Sequence, residues 1–480
     1  MTANDIRALL PMIILSATAV VIMLVIPFYR NRRVTFAMSM LGILLSLGAL
    51  PVAGSTIPRS ITPLLIMDQY GLFVIGLMLV TSAIVSMLFY SYHLGYHEFR
   101  EEFYILLLLA TLGAVVLVQS THFVSFFLGL EILSVSLYVM IAYFPREGQE
   151  LEAGIKYLIL AAISSTFLLF GMALIYADQG TMAFDQMHIS LATGADPRNF
   201  FVLTGLGMMV VGIGFKMALV PFHMWVADVY EGAPAPVTAF VATVSKGAIF
   251  ALLIRFFSRI PLSTDNSIFL MFAAISIASM LIGNLLGLMQ KNVKRMLAYS
   301  SIAHLGYLMV AFLAVGEQAT TAATLYLVAY FISNLGAFGV VSLLSDPKKD
   351  LDTREDYRGL FWRQPWIATI FTLMLLSLIG IPLTMGFIGK FYLLLAGVES
   401  TLWILSLALI TGSAIGLYYY LRVIVSMFSP LEQQQGREKV RAVPFMGSLA
   451  LGALLIALLL WGVYPQGLIQ MIRLAVAGLL

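Results

Sequence analysis

The chain has 480 residues, 61% of them hydrophobic and 11% charged, with a formal net charge of +3. Soluble domains carry about 25% charged residues, so this composition, with a mean hydropathy of +0.97, describes a polytopic membrane protein. The absence of cysteine excludes a disulfide, a thiolate metal site and an iron–sulfur cluster held by this chain.

The first apolar stretch, 8–28, has no basic leader and no clear small-residue cleavage site, so it is expected to be retained as a span. Runs of roughly 17–25 apolar residues predict an all-α fold of about fourteen spans: 8–28, 34–53, 64–90, 103–119, 121–143, 154–177, 200–225, 235–257, 267–289, 296–315, 320–344, 365–395, 400–428 and 443–463. The tail, 464–480, reads as a short amphipathic or interfacial piece. The segment 345–364 carries both signs of charge and reads as a solvated connector.

Loop arginines and lysines set the expected orientation. One side carries sixteen, from Arg30 to Arg441, and the other only Arg7, Arg59, Arg198, Arg259 and Arg473. The first side is expected to be cytoplasmic, which with an even number of spans leaves both termini periplasmic. Lys291, Lys294 and Arg295 are counted in cytoplasmic loops. Six basic residues fall inside spans: Lys156, Lys216, Lys246, Arg255, Lys390 and Arg422. Arg255 and Arg422 lie near span ends, where snorkelling is open to them. The other four are lysines, which unlike arginine can give up a proton when buried.

Glu131 is the one acid near the centre of a span, in FVSFFLGLEILSVS. It must pair, protonate or face water, and Lys216 is its expected partner. Lys156 follows Glu152 by four residues, a spacing at which the two can pair on a helix; snorkelling is the rival reading. Lys216 sits five residues before Pro221 in GFKMALVPFHMW. A proline nitrogen cannot donate, so this helix is expected to break at Val220–Pro221. Freed backbone groups at membrane depth need protein or water around them, which predicts a polar pocket beside Lys216. Lys246 lies inside the next span. His304, in SSIAHLGYL, titrates near neutral pH and can relay protons, or be a satisfied hydrogen-bonding group. Lys390 follows Pro382 and three glycines in SLIGIPLTMGFIGKFY, which predicts a second broken helix. Ionisable chains of this kind mark proton or ion paths.

Two broken helices with central lysines predict an internal repeat. Lys216 and Lys390 are 174 residues apart, and Glu131 and His304 are 173 apart. The expected organisation is three N-terminal spans (1–102), a first five-helix repeat (103–257), a second, inverted one (258–428), and a last span with its tail (429–480). An odd helix number inverts the second copy and gives two half-channels, each open to one side.

The stretches GFKMALVPFHMWVADVYEGAPAPV, KRMLAYSSIAHLGYLMVAF and SLIGIPLTMGFIGKFY resemble the antiporter-like membrane subunits of respiratory complex I, which are similar to Mrp-type cation/proton antiporters. The resemblance covers nearly the whole chain. Lys390, where subunit M carries a glutamate, and an end soon after the last span, without the lateral helix of subunit L, set the chain apart from those two members. The resemblance implies a modulating glutamate at Glu131, the broken-helix lysine at Lys216, a connecting lysine at Lys246, an axial relay at His304 and the terminal exchanging lysine at Lys390. It also implies no cofactor in this chain: NADH, FMN, iron–sulfur clusters and quinone would be bound by partner subunits of the membrane and redox arms. Among those partners would be a second antiporter-like subunit and small membrane subunits, with lipids around them and no nucleic acid. The expected function is proton translocation driven by quinone reduction elsewhere. The alternatives are a non-conducting coupling or assembly scaffold of the same complex, and a cation/proton antiporter subunit. The last predicts oxygen ligands at membrane depth, for which Glu131 alone is available.

Overall fold

The computed structural model describes residues 2–94, 101–143, 149–187, 200–258, 267–314, 316–345, 350–430 and 443–479. Arg100, Arg146, Arg198, Arg259, Lys348, Lys349, Arg437, Lys439 and Arg441 of the orientation argument lie outside them.

Among the described residues, twelve helices are long and apolar enough to cross a membrane, and Glu102–Val118 and Pro365–Ile379 are shorter apolar helices. The helices Ala235–Phe257, Val293–Ala314 and Glu317–Leu344 are buried almost throughout. The helices Ala3–Val25, Gln149–Gln179 and Phe445–Val463 instead expose leucine, isoleucine and phenylalanine on one face. A helix apolar all round belongs in an interior, so the three buried helices form the centre and the others turn apolar surface outward.

Close packing brings neighbouring helices together through small residues. Gly113 and Gly129 join Glu102–Val118 to Phe123–Ala142: a Cβ at Gly113 would meet Gly129 O at 2.9 Å, and one at Gly129 would meet Leu117 N at 2.8 Å.

Among the described residues, three helices are interrupted beside a lysine. Phe200–Met217 ends one residue before Ala218, which takes φ 62°. The break therefore falls earlier than expected from Val220–Pro221. The reason is steric: a proline ring conflicts with the carbonyl four residues back, and that residue is Met217. The freed groups are satisfied by protein. Val220 N donates to Ser279 Oγ at 2.9 Å, and Trp225 Nε1 donates to Phe215 O at 3.0 Å. The chain resumes as Val226–Gly232. The second break ends Pro365–Ile379 at Gly380, φ 91°, and the helix restarts at Met385–Glu399. Only glycine takes this conformation freely. The third interruption is marked by no proline or glycine: Val241–Ser245 is a π-helical turn leading directly into Lys246–Phe257.

The fold is not purely helical. Arg59–Ile61 pairs antiparallel with Leu65–Met67, with Ser60 opposite Ile66. Asp68 then caps the next helix by accepting from Gly71 N at 2.7 Å, so that span starts at Gln69 rather than 64. The tail forms the amphipathic helix Gln466–Val476, packed against Gln69–Tyr92 and Glu317–Leu344.

Candidate functional site: a buried line of ionisable side chains

Lys216 occupies the last turn of Phe200–Met217 and is buried. Its Nζ donates to Ser134 Oγ at 2.6 Å and lies 5.8 Å from the centre of the Tyr157 ring. Glu131 stands on the same helix as Ser134, one turn earlier, and its Oε1 accepts from Ser165 Oγ at 2.6 Å. The expected direct Glu131–Lys216 ion pair is not formed among the described residues. A serine from the glutamate's own helix takes its place, because residues three apart share a helix face.

Beyond Tyr157, which lies close to Ser245, comes Lys246. The π-turn before it adds a residue to the helix and so re-aims the side chains on its C-terminal side; such turns recur at functional sites. Lys246 Nζ donates to Ser301 Oγ at 2.7 Å and lies 5.2 Å from the Tyr230 ring centre. Ser301 is one turn before His304 on Val293–Ala314. His304 Nδ1 shares a hydrogen bond of 2.7 Å with Tyr326 OH, and its Nε2 lies 3.4 Å from Tyr420 OH, which also bonds Ser300. The His304 and Tyr307 rings are 5.3 Å apart, and Lys390 Nζ is 5.0 Å from the Tyr307 ring centre. Lys390 donates to Ile379 O at 2.9 Å and to Ser413 Oγ at 3.1 Å. Ile379 O is freed by the second helix break, and a helix C-terminus is the negative end of its dipole.

An ammonium carries three donors. Lys216 and Lys246 each find one acceptor among the described residues, and Lys390 finds two. Hydrogen bonds to charged groups contribute about 1.5–3 kcal/mol each, and a desolvated cation–π contact about 2 kcal/mol. Several kcal/mol are lost on burying each ion, so the gains and the loss are of similar size and the charge is held by a small margin. Such a group suits transient occupancy by a proton better than permanent structural pairing.

Lys156 stands apart from this line. It pairs with Glu152 at 2.6 Å, at the predicted spacing, and with Asp228 at 3.0 Å. Its side chain is half-exposed, in a cleft of about 200 Å³ shared with Glu231. Arg295 extends the network to Asp228 at 2.9 Å and Glu231 at 2.6 Å. Burial opposes ionisation of Asp228, but hydrogen bonds from Lys156 and Arg295 outweigh it and hold the carboxyl below its usual range.

Two basic residues lie elsewhere than the sequence places them. Arg255 does not snorkel. Only 6% of its side chain is exposed, and it grips Asp68 with two bonds of 2.5 and 3.0 Å, while its Nε donates to Val118 O. The planar guanidinium matches a carboxylate bidentately. Lys294, counted in a loop, is fully buried; it donates to Asp350 Oδ2 at 2.6 Å and to the carbonyls of Glu231 and Ala233 at 2.7 Å. Asp350 in turn accepts from Tyr92 OH. Asp350 is therefore docked there, while Glu355 and Arg358 of the same connector stay exposed. Arg422 is half-buried and donates to Leu288 O at 3.1 Å.

The hydroxyl partners Ser134, Ser301, Ser413, Tyr307 and Tyr326 are not among the candidates from sequence. Three of them had a signal: Ser134 follows Glu131 by three residues, Ser301 precedes His304 by three, and Tyr307 follows His304 by three. Tyr326 and Ser413 come from other helices, so no local spacing marks them.

Residues 120–416 match the family described as NADH:quinone oxidoreductase/Mrp antiporter, TM. Over 475 residues, 98% of this chain and 95% of the relative, the sequence is 46% identical to NADH-quinone oxidoreductase subunit N of Methylococcus capsulatus. A chain of respiratory complex I from Thermus thermophilus is similar with a TM-score of 0.82 and 31% identity, covering 96% of this chain and 98% of that one. A chain of the Mrp complex from Dietzia shares the fold alone, at 18% identity, with a TM-score of 0.86 and coverage of 99% and 97%.

Proposed function

Since the chain belongs to the NADH:quinone oxidoreductase/Mrp antiporter family of membrane subunits, on its subunit N branch, we propose that it moves protons through Glu131, Lys216, Lys246, His304 and Lys390. It is a multi-pass bacterial inner-membrane protein and a membrane-arm subunit of a multi-subunit complex. It contains no cysteine, and among the described residues no group of three His, Asp or Glu side chains could hold a metal. In this reading NADH, flavin, clusters and quinone stay with partner subunits, and quinone reduction there drives the step here.

The observation that carries the reading is connectivity. Lys246 donates to Ser301, which stands one turn before His304 on the same helix, and His304, Tyr307 and Lys390 then follow one another at ring-contact distance, so the groups span three helices. Lys216 lies against the Tyr157 ring, which is close to Ser245, the residue before Lys246. Glu131 supplies the control. Charges about 6 Å apart interact by roughly 3 kcal/mol at an effective dielectric near 20. Moving one charge against about 100 mV costs about 2.3 kcal/mol. The two magnitudes are of the same order, so Glu131 is placed to bias the release of a proton from Lys216 along the line.

Several finer features belong to the same proposal. The chain makes fourteen crossings, counting Glu102–Val118 and the interrupted Pro365–Glu399 segment. Spans four to eight and nine to thirteen are inverted copies. Glycine-packed hairpins support this at corresponding places, Gly113 with Gly129 and Gly283 against Ala303 N at 2.8 Å, as do the two broken helices. Both termini face the periplasm. The neighbours are a second antiporter-like subunit and small membrane subunits. Lys156, at the rim, belongs to the entry side rather than the line.

Lys216→Ala or Lys390→Ala in the assembled complex, with proton translocation measured per NADH oxidised, tests the reading. A fall in stoichiometry is expected. Normal assembly with unchanged stoichiometry points instead to a non-conducting scaffold.

A further inference from the structure

At the end of the molecule that carries Lys291, the segment after Thr353 folds back onto the end of helix Trp403–Phe428. Gly359 N donates to Ser426 O at 3.1 Å, and Ser426 Oγ donates to Arg354 O at 3.3 Å. Between them lies a cleft of about 540 Å³ lined by Arg354 and Arg358 of the returning segment and by Tyr418, Leu421, Arg422 and Val425 of the helix. One acid, Glu355, also lines it, 3.7 Å from Arg354. Exposed Lys291 lines an adjoining notch with Arg354 and Arg422. Arg422 is held in place by its bond to Leu288 O and by the Tyr418 ring, 5.8 Å from its guanidinium carbon. None of these residues belongs to the proton line.

We propose that this cleft binds the phosphodiester headgroup of an anionic glycerophospholipid, with an acyl chain lying along Tyr418, Leu421 and Val425. Charge complementarity selects the headgroup: among the described residues three arginines and one carboxylate line the cleft, with Lys291 in the adjoining notch. Arginine forks suit phosphate oxygens, and basic pockets between spans on the cytoplasmic side recognise anionic lipid heads. The apolar wall selects a lipid over a soluble phosphate. Tyr418 and Val425 are 61% and 64% exposed on a helix long enough to cross the membrane. Trp362 and Trp366, both exposed at this end of the molecule, mark the interfacial level where aromatic side chains gather. The cleft volume falls within the range of small-molecule sites.

The test uses the intact complex containing the full chain, purified and given phosphatidylglycerol with a photoreactive acyl chain, followed by peptide mapping. Labelling is expected in 418–429 and 354–366, at least fivefold above that from the phosphatidylcholine analogue, and it is expected to persist in excess inorganic phosphate. Arg354→Gln with Arg422→Gln should lower it at least fivefold. Val425→Trp, which fills the apolar wall and keeps every charge, should lower it as well and serves if the double variant fails to assemble. Equal labelling by phosphatidylcholine, displacement by inorganic phosphate, indifference to both variants, or no labelling because a neighbouring subunit covers the cleft would each overturn the proposal.

Discussion

The two broken helices hold their lysines by different means. Lys216 binds a serine hydroxyl one turn from a carboxylate. Lys390 binds the last carbonyl of the preceding half-helix and a second serine, with an aromatic face beneath. The first lysine answers to a charge that can change; the second rests in a field of fixed dipoles. In the proposed proton line this difference gives control to the first half and exchange to the second, although both use the same device, a helix stopped beside a lysine.

The largest expected effect breaks the comparison outright. Lys216→Arg keeps the positive charge but not the ability to release a proton, so proton translocation by the assembled complex should fall by at least tenfold, as measured by pH-dye uptake in proteoliposomes. Near-normal pumping by Lys216→Arg would mean that only the charge matters there. Next is Gly380→Ala. It places a Cβ at φ 91° and 3.0 Å from Lys390 Cδ. Such backbone strain costs about 1–3 kcal/mol, so a lower unfolding temperature and reduced pumping are expected. Ala218 at φ 62° already bears similar strain in the first half, and Ala218→Gly should relieve some of it and raise the unfolding temperature.

Paired serine removals sharpen the contrast. Ser134→Ala strips Lys216 of its described acceptor, whereas Ser413→Ala leaves Lys390 with Ile379 O. The first should reduce pumping more, by a margin of about 1 kcal/mol in the rate, and equal effects would erase the proposed difference between the halves.

The smallest effect concerns the rim. The Asp228 carboxyl is held below its usual range, so its contribution to stability is present above the unfolded carboxylate value of about 3.9. It is lost as pH falls through the lower folded value. Asp228→Asn should flatten that acid-side loss of thermal stability while leaving the curve near neutral pH almost unchanged. An acid limb identical to that of the unmodified protein would show that Lys156 and Arg295 do not act through this group.

Much of this was legible in the chain. Length and apolarity mark the spans, and Pro221 and Pro382 mark the breaks, because a missing N–H and a ring clash act locally. The buried lysines stand out because a charge in oil needs a reason. The parts that escaped a reading of the chain depend on helices distant in sequence. Asp68 meets Arg255, and Lys294 meets Asp350, through packing that no spacing encodes, so both cations looked like surface or snorkelling groups. The π-turn at Val241–Ser245 leaves no composition signal, since valine, alanine, threonine and serine suit ordinary helix ends equally. Ser134 in place of a direct Glu131–Lys216 pair is decided by which atoms reach across one turn.

In the proposed line Lys246 joins the halves, and removing its ammonium tests the connection most directly. Lys246→Met, assembled into the complete complex and reconstituted in sealed vesicles, should still oxidise NADH in uncoupled membranes while moving fewer protons per electron pair. An unaltered proton-to-electron ratio in that variant would contradict a single line through the two halves.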